Sequence, residues 1–133
     1  MRSRNILLAE DNADDALIFS MMFKRATLPH SLYAVEDGQQ AMDWLSGAGE
    51  YSDREKFPMP QLLILDLKMP IKTGFEVLEW IRGQKQFEEL PVIILSSSDD
   101  NIDVKRAYQL GVTTYFVKSP HLQDVMQYLR LSS

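Results

Sequence analysis

The chain has no cysteine. Disulfide frameworks, zinc–thiolate and iron–sulfur centres and thiol catalysis are therefore excluded. A compartment does not follow, since a reducing cytosol merely permits such a composition. Long apolar runs are missing too. The run Ile6 to Ala9, behind the basic start Met1-Arg2-Ser3-Arg4, is too short for a signal peptide and ends in Glu10-Asp11. No stretch approaches the ~20 apolar residues needed to cross a bilayer. Positive charge is in deficit, with 14 Lys and Arg against 19 Asp and Glu, a formal net charge of −5. Non-specific nucleic-acid binding rests on Lys and Arg meeting phosphates, and the pairs Lys24-Arg25 and Lys105-Arg106 do not grow into a stripe. Glycine is sparse. Gly47-Ala48-Gly49 fails as a dinucleotide fingerprint because position 52 is Ser, and there is no Walker loop. The expectation is a soluble, cytoplasmic protein that binds neither nucleic acid nor membrane.

What is present is an ordinary globular composition, 45% hydrophobic and 25% charged over 133 residues. That length fits one domain, residues 1–133, large enough to bury roughly two-thirds of its unfolded surface. Short apolar runs alternate with longer amphipathic ones. Residues 4–9, 31–36, 61–66, 91–95 and 114–118 read as strands. The third is apolar without alternation and flanked by Pro60 and Pro70, as suits a parallel strand covered on both faces. Residues 13–26 and 38–46, the face Gly74-Val77-Leu78-Ile81, residues 99–110 closed by Gly111, and Leu122-Val125-Met126-Leu129 read as helices. Residues 47–60 read as a long loop. Five strands alternating with five helices predict an α/β fold, a parallel sheet with helices on both faces.

In such sheets ligands bind beyond the carboxyl ends of the strands. The first strand ends in Glu10-Asp11, the third in Asp66, the fourth in Ser96-Ser97-Ser98 and the fifth in Lys118. Each has a bland alternative. Glu10-Asp11-Asn12 could cap a helix, the serines could form a turn, and Lys118 could reach to solvent. Together they are harder to dismiss. Three carboxylates in one pocket repel each other unless a cation sits among them. A carboxylate-rich oxygen site suits Mg²⁺. A hard cation, a lysine and a hydroxyl around one carboxylate make a phosphoryl site, and aspartate is a known phosphoryl acceptor.

The pieces Ile6-Leu-Leu-Ala-Glu-Asp-Asn12, Leu65-Asp-Leu-Lys-Met-Pro70, Gly74, Pro91-Val-Ile-Ile-Leu-Ser96 and Gly111-Val-Thr-Thr-Tyr-Phe-Val-Lys118, in this order and spacing, resemble the receiver domain of two-component response regulators over nearly the whole chain. The extended 47–60 segment is most similar to the single-domain, CheY-like regulators associated with bacterial phytochromes. The resemblance implies a flavodoxin-like (βα)₅ fold with strand order 2-1-3-4-5. It implies Asp66 as phosphoacceptor, and Mg²⁺ held by Asp11 directly, Glu10 mostly through water, Asp66 and the backbone carbonyl of Lys68. Ser96 would be the switch hydroxyl, Lys118 the partner of Asp66 and then of a phosphoryl oxygen, and Tyr115 an aromatic switch. Tyr115 and Lys118, three residues apart, would point to opposite faces of an ideal strand, the tyrosine toward the surface of the fourth and fifth helices. The family's lysine is usually followed by proline, whereas here Ser119 intervenes before Pro120. Ser replaces the commoner Thr at 96.

The expected partners are a sensor histidine kinase or a histidine phosphotransfer protein and a downstream protein target, with the chain a monomer or a phosphorylation-linked homodimer. No DNA-binding domain is expected beyond the last helix, and protein contact is the expected output. Met21, Met22 and Phe23 read as half core and half a docking face for a kinase's helices. Trp44 and Trp80 read as packing, and His30 and His121 have no partner in sequence that suggests catalysis. Two alternatives remain. One is a phosphorylation-independent interaction module. The other is an aspartate-nucleophile phosphatase, disfavoured because Lys68 stands where such enzymes carry a second Asp.

Overall fold

The computed structural model describes residues 3–131, apart from the side chains of residues 119–121. His121 and the side chains of the Ser119-Pro120 departure thus lie outside the described residues. Five strands form one parallel sheet: β1 (Asn5–Ala9), β2 (Ser31–Val35), β3 (Leu62–Leu65), β4 (Val92–Ser96) and β5 (Thr114–Val117), in the order β2-β1-β3-β4-β5. This is the flavodoxin-like order expected. The helices are α1 (Ala13–Arg25), α2 (Gly38–Ser46), α3 (Gly74–Arg82), α4 (Asn101–Gln109) and α5 (Lys118–Leu131).

Alternation along the strands assigns the helices to two faces. Ile6, Leu8, Leu62, Ile64, Ile93 and Leu95 pack with Phe19 and Phe23 of α1 and Val125, Met126 and Leu129 of α5. Leu7, Ala9, Leu63, Leu65, Val92 and Ile94 pack with Ala41, Trp44 and Leu45 of α2, Val77, Leu78 and Ile81 of α3 and Ala107 of α4. β1, β3 and β4 are buried on both faces almost throughout, which explains their continuous apolar runs.

The helix starts are written locally. Asn12, Asp37 and Asp100 each accept a backbone N–H of the following turn, and Thr73 with Glu76 forms a capping box. α4 is shorter than the expected 99–110, because Asp99 and Asp100 belong to the turn that caps it. Gly111 does follow its end, with φ +93°. β5 yields Lys118 to α5.

The 47–60 segment departs most from its expectation. It contains a 3-10 turn, Gly49–Ser52, with Tyr51 buried. Trp44, Tyr51 and Phe57 form an aromatic cluster with centroids 5.1–5.2 Å apart. Arg54 donates to the carbonyls of Trp44, Leu45 and Phe57 at 2.7, 2.9 and 3.1 Å. It thereby satisfies the Leu45 carbonyl at the end of α2 and adds a second donor to that of Trp44, which also accepts the Gly47 N–H.

Candidate functional site

The carboxyl ends of β1, β3, β4 and β5 converge on one pocket. Strand parity decides from which side each group enters. Glu10 continues the Ile6–Leu8 face, toward α1 and α5. Ser96 continues the Val92–Ile94 face, toward α3 and α4. Asp66 follows β3 at the centre of the sheet, and its backbone N–H bonds to the Ala9 carbonyl at 3.0 Å. Glu10, Asp66 and Ser96 are the buried polar side chains of this edge, while Asp11 is exposed at its rim.

Glu10, Asp11 and Asp66 each offer an oxygen within 4.8 Å of the others. Three carboxylates so close, two of them buried, repel one another unless a proton or a cation balances the charge. Lys118 supplies one positive charge. Its Nζ lies 2.6 Å from Glu10 Oε1, 3.1 Å from Asp66 Oδ2 and 2.9 Å from Asp15 Oδ2. Burial opposes the charge on Lys118, but hydrogen bonds to the three carboxylates overcome it and raise the ammonium above its usual range. Burial pushes Glu10 up to about 7, against the Lys118 contact and the Asn12 N–H that donates to its other oxygen at 3.1 Å. The donor set is all oxygen, which fits a hard divalent cation.

Lys68, two residues beyond Asp66, has an exposed side chain. Its backbone N–H makes a long 3.4 Å contact to Asp66 Oδ1 and ties the loop to the acceptor carboxylate. The loop cannot drift away, because α3 abuts it. A Cβ on Gly74 would overlap the Asp66 carbonyl oxygen, and the Gly74 N–H bonds to the Leu67 carbonyl at 2.9 Å.

On the α4 side, Ser96 Oγ accepts from the Ser98 N–H at 3.2 Å. The Ser98 hydroxyl donates to Asp103 Oδ2 at 2.7 Å, and the Tyr115 hydroxyl donates to the Ser98 carbonyl at 2.8 Å. Tyr115 is half-buried against the α2–α4 side of the core, while its neighbour Phe116 packs on the α1–α5 side. Burial raises the Tyr115 hydroxyl above its ordinary range. The Tyr115 hydroxyl reaches the turn that carries Ser96, where the Ser98 carbonyl offers it an acceptor.

All the groups expected from the strand ends therefore lie on one edge of the sheet. Two residues of this edge were not singled out from the sequence. Asp15 reads there as an ordinary acid of a helix's first turn. The available signal was its position, the third of α1, from which a side chain reaches back toward the N-cap and hence the strand ends. Ser98 was named only with its neighbours, as a turn.

A family model described as the response regulator receiver domain matches residues 6–130. The response regulator Rcp1 of Synechocystis is 38% identical over 122 residues, 92% of this chain and 81% of its own. The crystal structure of the phosphorylated cyanobacterial phytochrome response regulator RcpA superposes with a TM-score of 0.84 at 34% identity, covering 98% of this chain and 91% of that one. The Mn²⁺-bound form of Rcp1 superposes with a TM-score of 0.82 at 36% identity, covering 96% and 89%. With its strand order, its acidic edge and these likenesses, the chain belongs to the response regulator receiver domain family and is similar to the regulators named for phytochromes.

Proposed function

We propose that this receiver takes a phosphoryl group onto Asp66 from the phosphohistidine of a sensor histidine kinase or a histidine phosphotransfer protein, with Mg²⁺, and acts in the cytoplasm as a single-domain regulator. The observation that carries this reading is the Lys118 ammonium set against Glu10 and Asp66 inside a cluster of three carboxylates. The phosphorylated form of RcpA and the Mn²⁺-bound form of Rcp1 support it by likeness. Glu10, Asp11, Asp66 and the Lys68 carbonyl would hold Mg²⁺, which when bound supplies positive charge to the phosphoryl oxygens.

In the transfer, an Asp66 carboxylate oxygen bonds to phosphorus as the P–N bond breaks. The electron pair leaves with the imidazole nitrogen, which takes a proton. Lys118 turns a donor from Asp66 to a phosphoryl oxygen, and the Ser96 hydroxyl donates to another. Ser96 then pulls on the Ser98 turn, to which both Tyr115 and Asp103 of α4 are bonded. The change reaches a downstream protein through the face of α4, β5 and α5. The phosphoryl donor docks on α1, where Leu17, Ile18 and Met21 are about half exposed beside a cleft of about 270 Å³ that ends at Glu10, Asp15 and Lys118.

The test is labelling by acetyl phosphate and by the cognate kinase. The expected product is a Mg²⁺-dependent, hydroxylamine-labile phosphate on the wild-type chain, absent in Asp66→Asn. No label from either donor would favour a phosphorylation-independent interaction module. Sustained turnover of a phosphomonoester would favour a phosphatase instead, although Lys68 occupies the position where that class carries its second Asp.

A further inference from the structure

Lys118 directs one of its hydrogen bonds to a carboxylate that the phosphoryl-transfer scheme leaves without a task. Asp15 Oδ2 lies 2.9 Å from its Nζ, slightly closer than Asp66 Oδ2 at 3.1 Å. An ammonium has three N–H donors, and three separate carboxylates, Glu10, Asp15 and Asp66, stand around this one. They are not equivalent. Glu10 and Asp66 belong to the cluster that converges within 4.8 Å, and Asp15 does not. Their side chains are 4% and 7% exposed, that of Asp15 41%. Asp15 is held in place independently of the lysine, since its backbone N–H bonds to Asn12 Oδ1 at 3.0 Å in the cap of α1.

We propose that Asp15 is a positioning residue that keeps the Lys118 ammonium beside Asp66 while a divalent cation draws on Glu10 and Asp66. This rests on the reading that the acidic cluster takes Mg²⁺. A cation and an ammonium that share the same two carboxylates compete for them and repel each other. A partner outside that set removes the conflict, because the ammonium can release Glu10 and still be held at the pocket wall. Without Asp15, the lysine falls back on the two buried carboxylates and opposes the metal, and once the metal displaces it there is no partner to hold it for the phosphoryl group. Asp14, the adjacent acid of the same helix turn, is exposed and is not among the lysine's partners. It therefore provides a control of equal charge.

The experiment is Mg²⁺ titration by calorimetry of the full chain as wild type, Asp15→Asn, Asp14→Asn and Asp15→Glu. It is paired with NMR of the Lys118 side-chain ammonium in the Mg²⁺-saturated proteins. Asp15→Asn is expected to weaken Mg²⁺ binding roughly three- to fivefold more than Asp14→Asn, the range open to a partly exposed ion pair. Asp15→Glu is expected to stay within about twofold of wild type, and the ammonium signal to broaden in Asp15→Asn alone. Equal weakening in the two Asn variants, or an ammonium signal that Asp15→Asn leaves unchanged, overturns the role of Asp15 and leaves the metal site standing. Failure of the wild-type chain itself to bind Mg²⁺ overturns the metal reading and this inference with it.

Discussion

Ile71 directly follows Pro70 in the loop from β3 to α3, is 71% exposed and has a φ of +69°. A β-branched residue in the left-handed region is strained by roughly 1–2 kcal/mol. Asn tolerates that region, so Ile71→Asn is expected to stabilise the protein by about 1 kcal/mol, read as a higher urea midpoint at unchanged slope. Gly74 works in the opposite direction. Its missing side chain lets α3 touch the backbone after Asp66. Gly74→Ala is expected to cost about 2–3 kcal/mol and to reduce phosphoryl uptake, since the acceptor's loop must shift. Glu10 carries a pH dependence. Its carboxyl is raised in the fold, chiefly by burial, from 4.5 to about 7. Between those values the folded state binds more protons than the unfolded one, so this group's contribution to stability falls as pH rises through the window. Glu10→Gln is expected to flatten the metal-free stability profile there, by at most about 1.4 kcal/mol per pH unit. Glu10, Asp66, Ser96 and Lys118 were legible in sequence because each directly ends an apolar strand. Asp15 was not, because it meets its lysine across 103 positions of chain.

At the scale of elements, helix starts were legible and the segment after α2 was not. Asn12, Asp37, Thr73 and Asp100 are local signals, each bonding to a backbone N–H two or three residues on. The 47–60 segment has the polar composition of a loop, and its order comes from contacts. Trp44 Nε1 donates to the Pro58 carbonyl at 2.9 Å, and Arg54 gathers three carbonyls. Arg54→Ala is expected to destabilise by about 1–2 kcal/mol, since charged hydrogen bonds are worth more than neutral ones. Hydrogen exchange should quicken first at the end of α2 and in the 3-10 turn. α1 shows the expected division between a core stripe and an open apolar face. Its sequence is apolar on much of its circumference, yet Leu17, Ile18 and Met21 stay half exposed. Phe19 and Phe23 are buried against the sheet, and Met22 packs partly buried beside them.

At the scale of the molecule, the sheet places two kinds of group on opposite sides of one carboxylate. Lys118 arrives from the α1–α5 side and the Ser96–Ser98–Tyr115 chain from the α3–α4 side, so charge neutralisation and switching are built on different packing layers. The acidic edge is a stored repulsion, and a cation should relieve it. Mg²⁺ at about a hundred times its Kd is expected to stabilise the chain by ~2.7 kcal/mol, seen as a rise in Tm that Asp11→Asn and Asp66→Asn sharply reduce. The amino-acid sequence by itself determined the class of fold, the order of the elements and which acids sit at strand ends. Those follow from apolar period, turn residues and caps, which act within a few positions. Tertiary structure alone decided that Asp15 joins the lysine, that Tyr115 reaches the Ser98 carbonyl and that the 47–60 segment packs around Trp44. Such contacts depend on the distance between elements once the sheet has closed. In that setting Lys118, remote in sequence from both Asp15 and Asp66, lies within 3.1 Å of each.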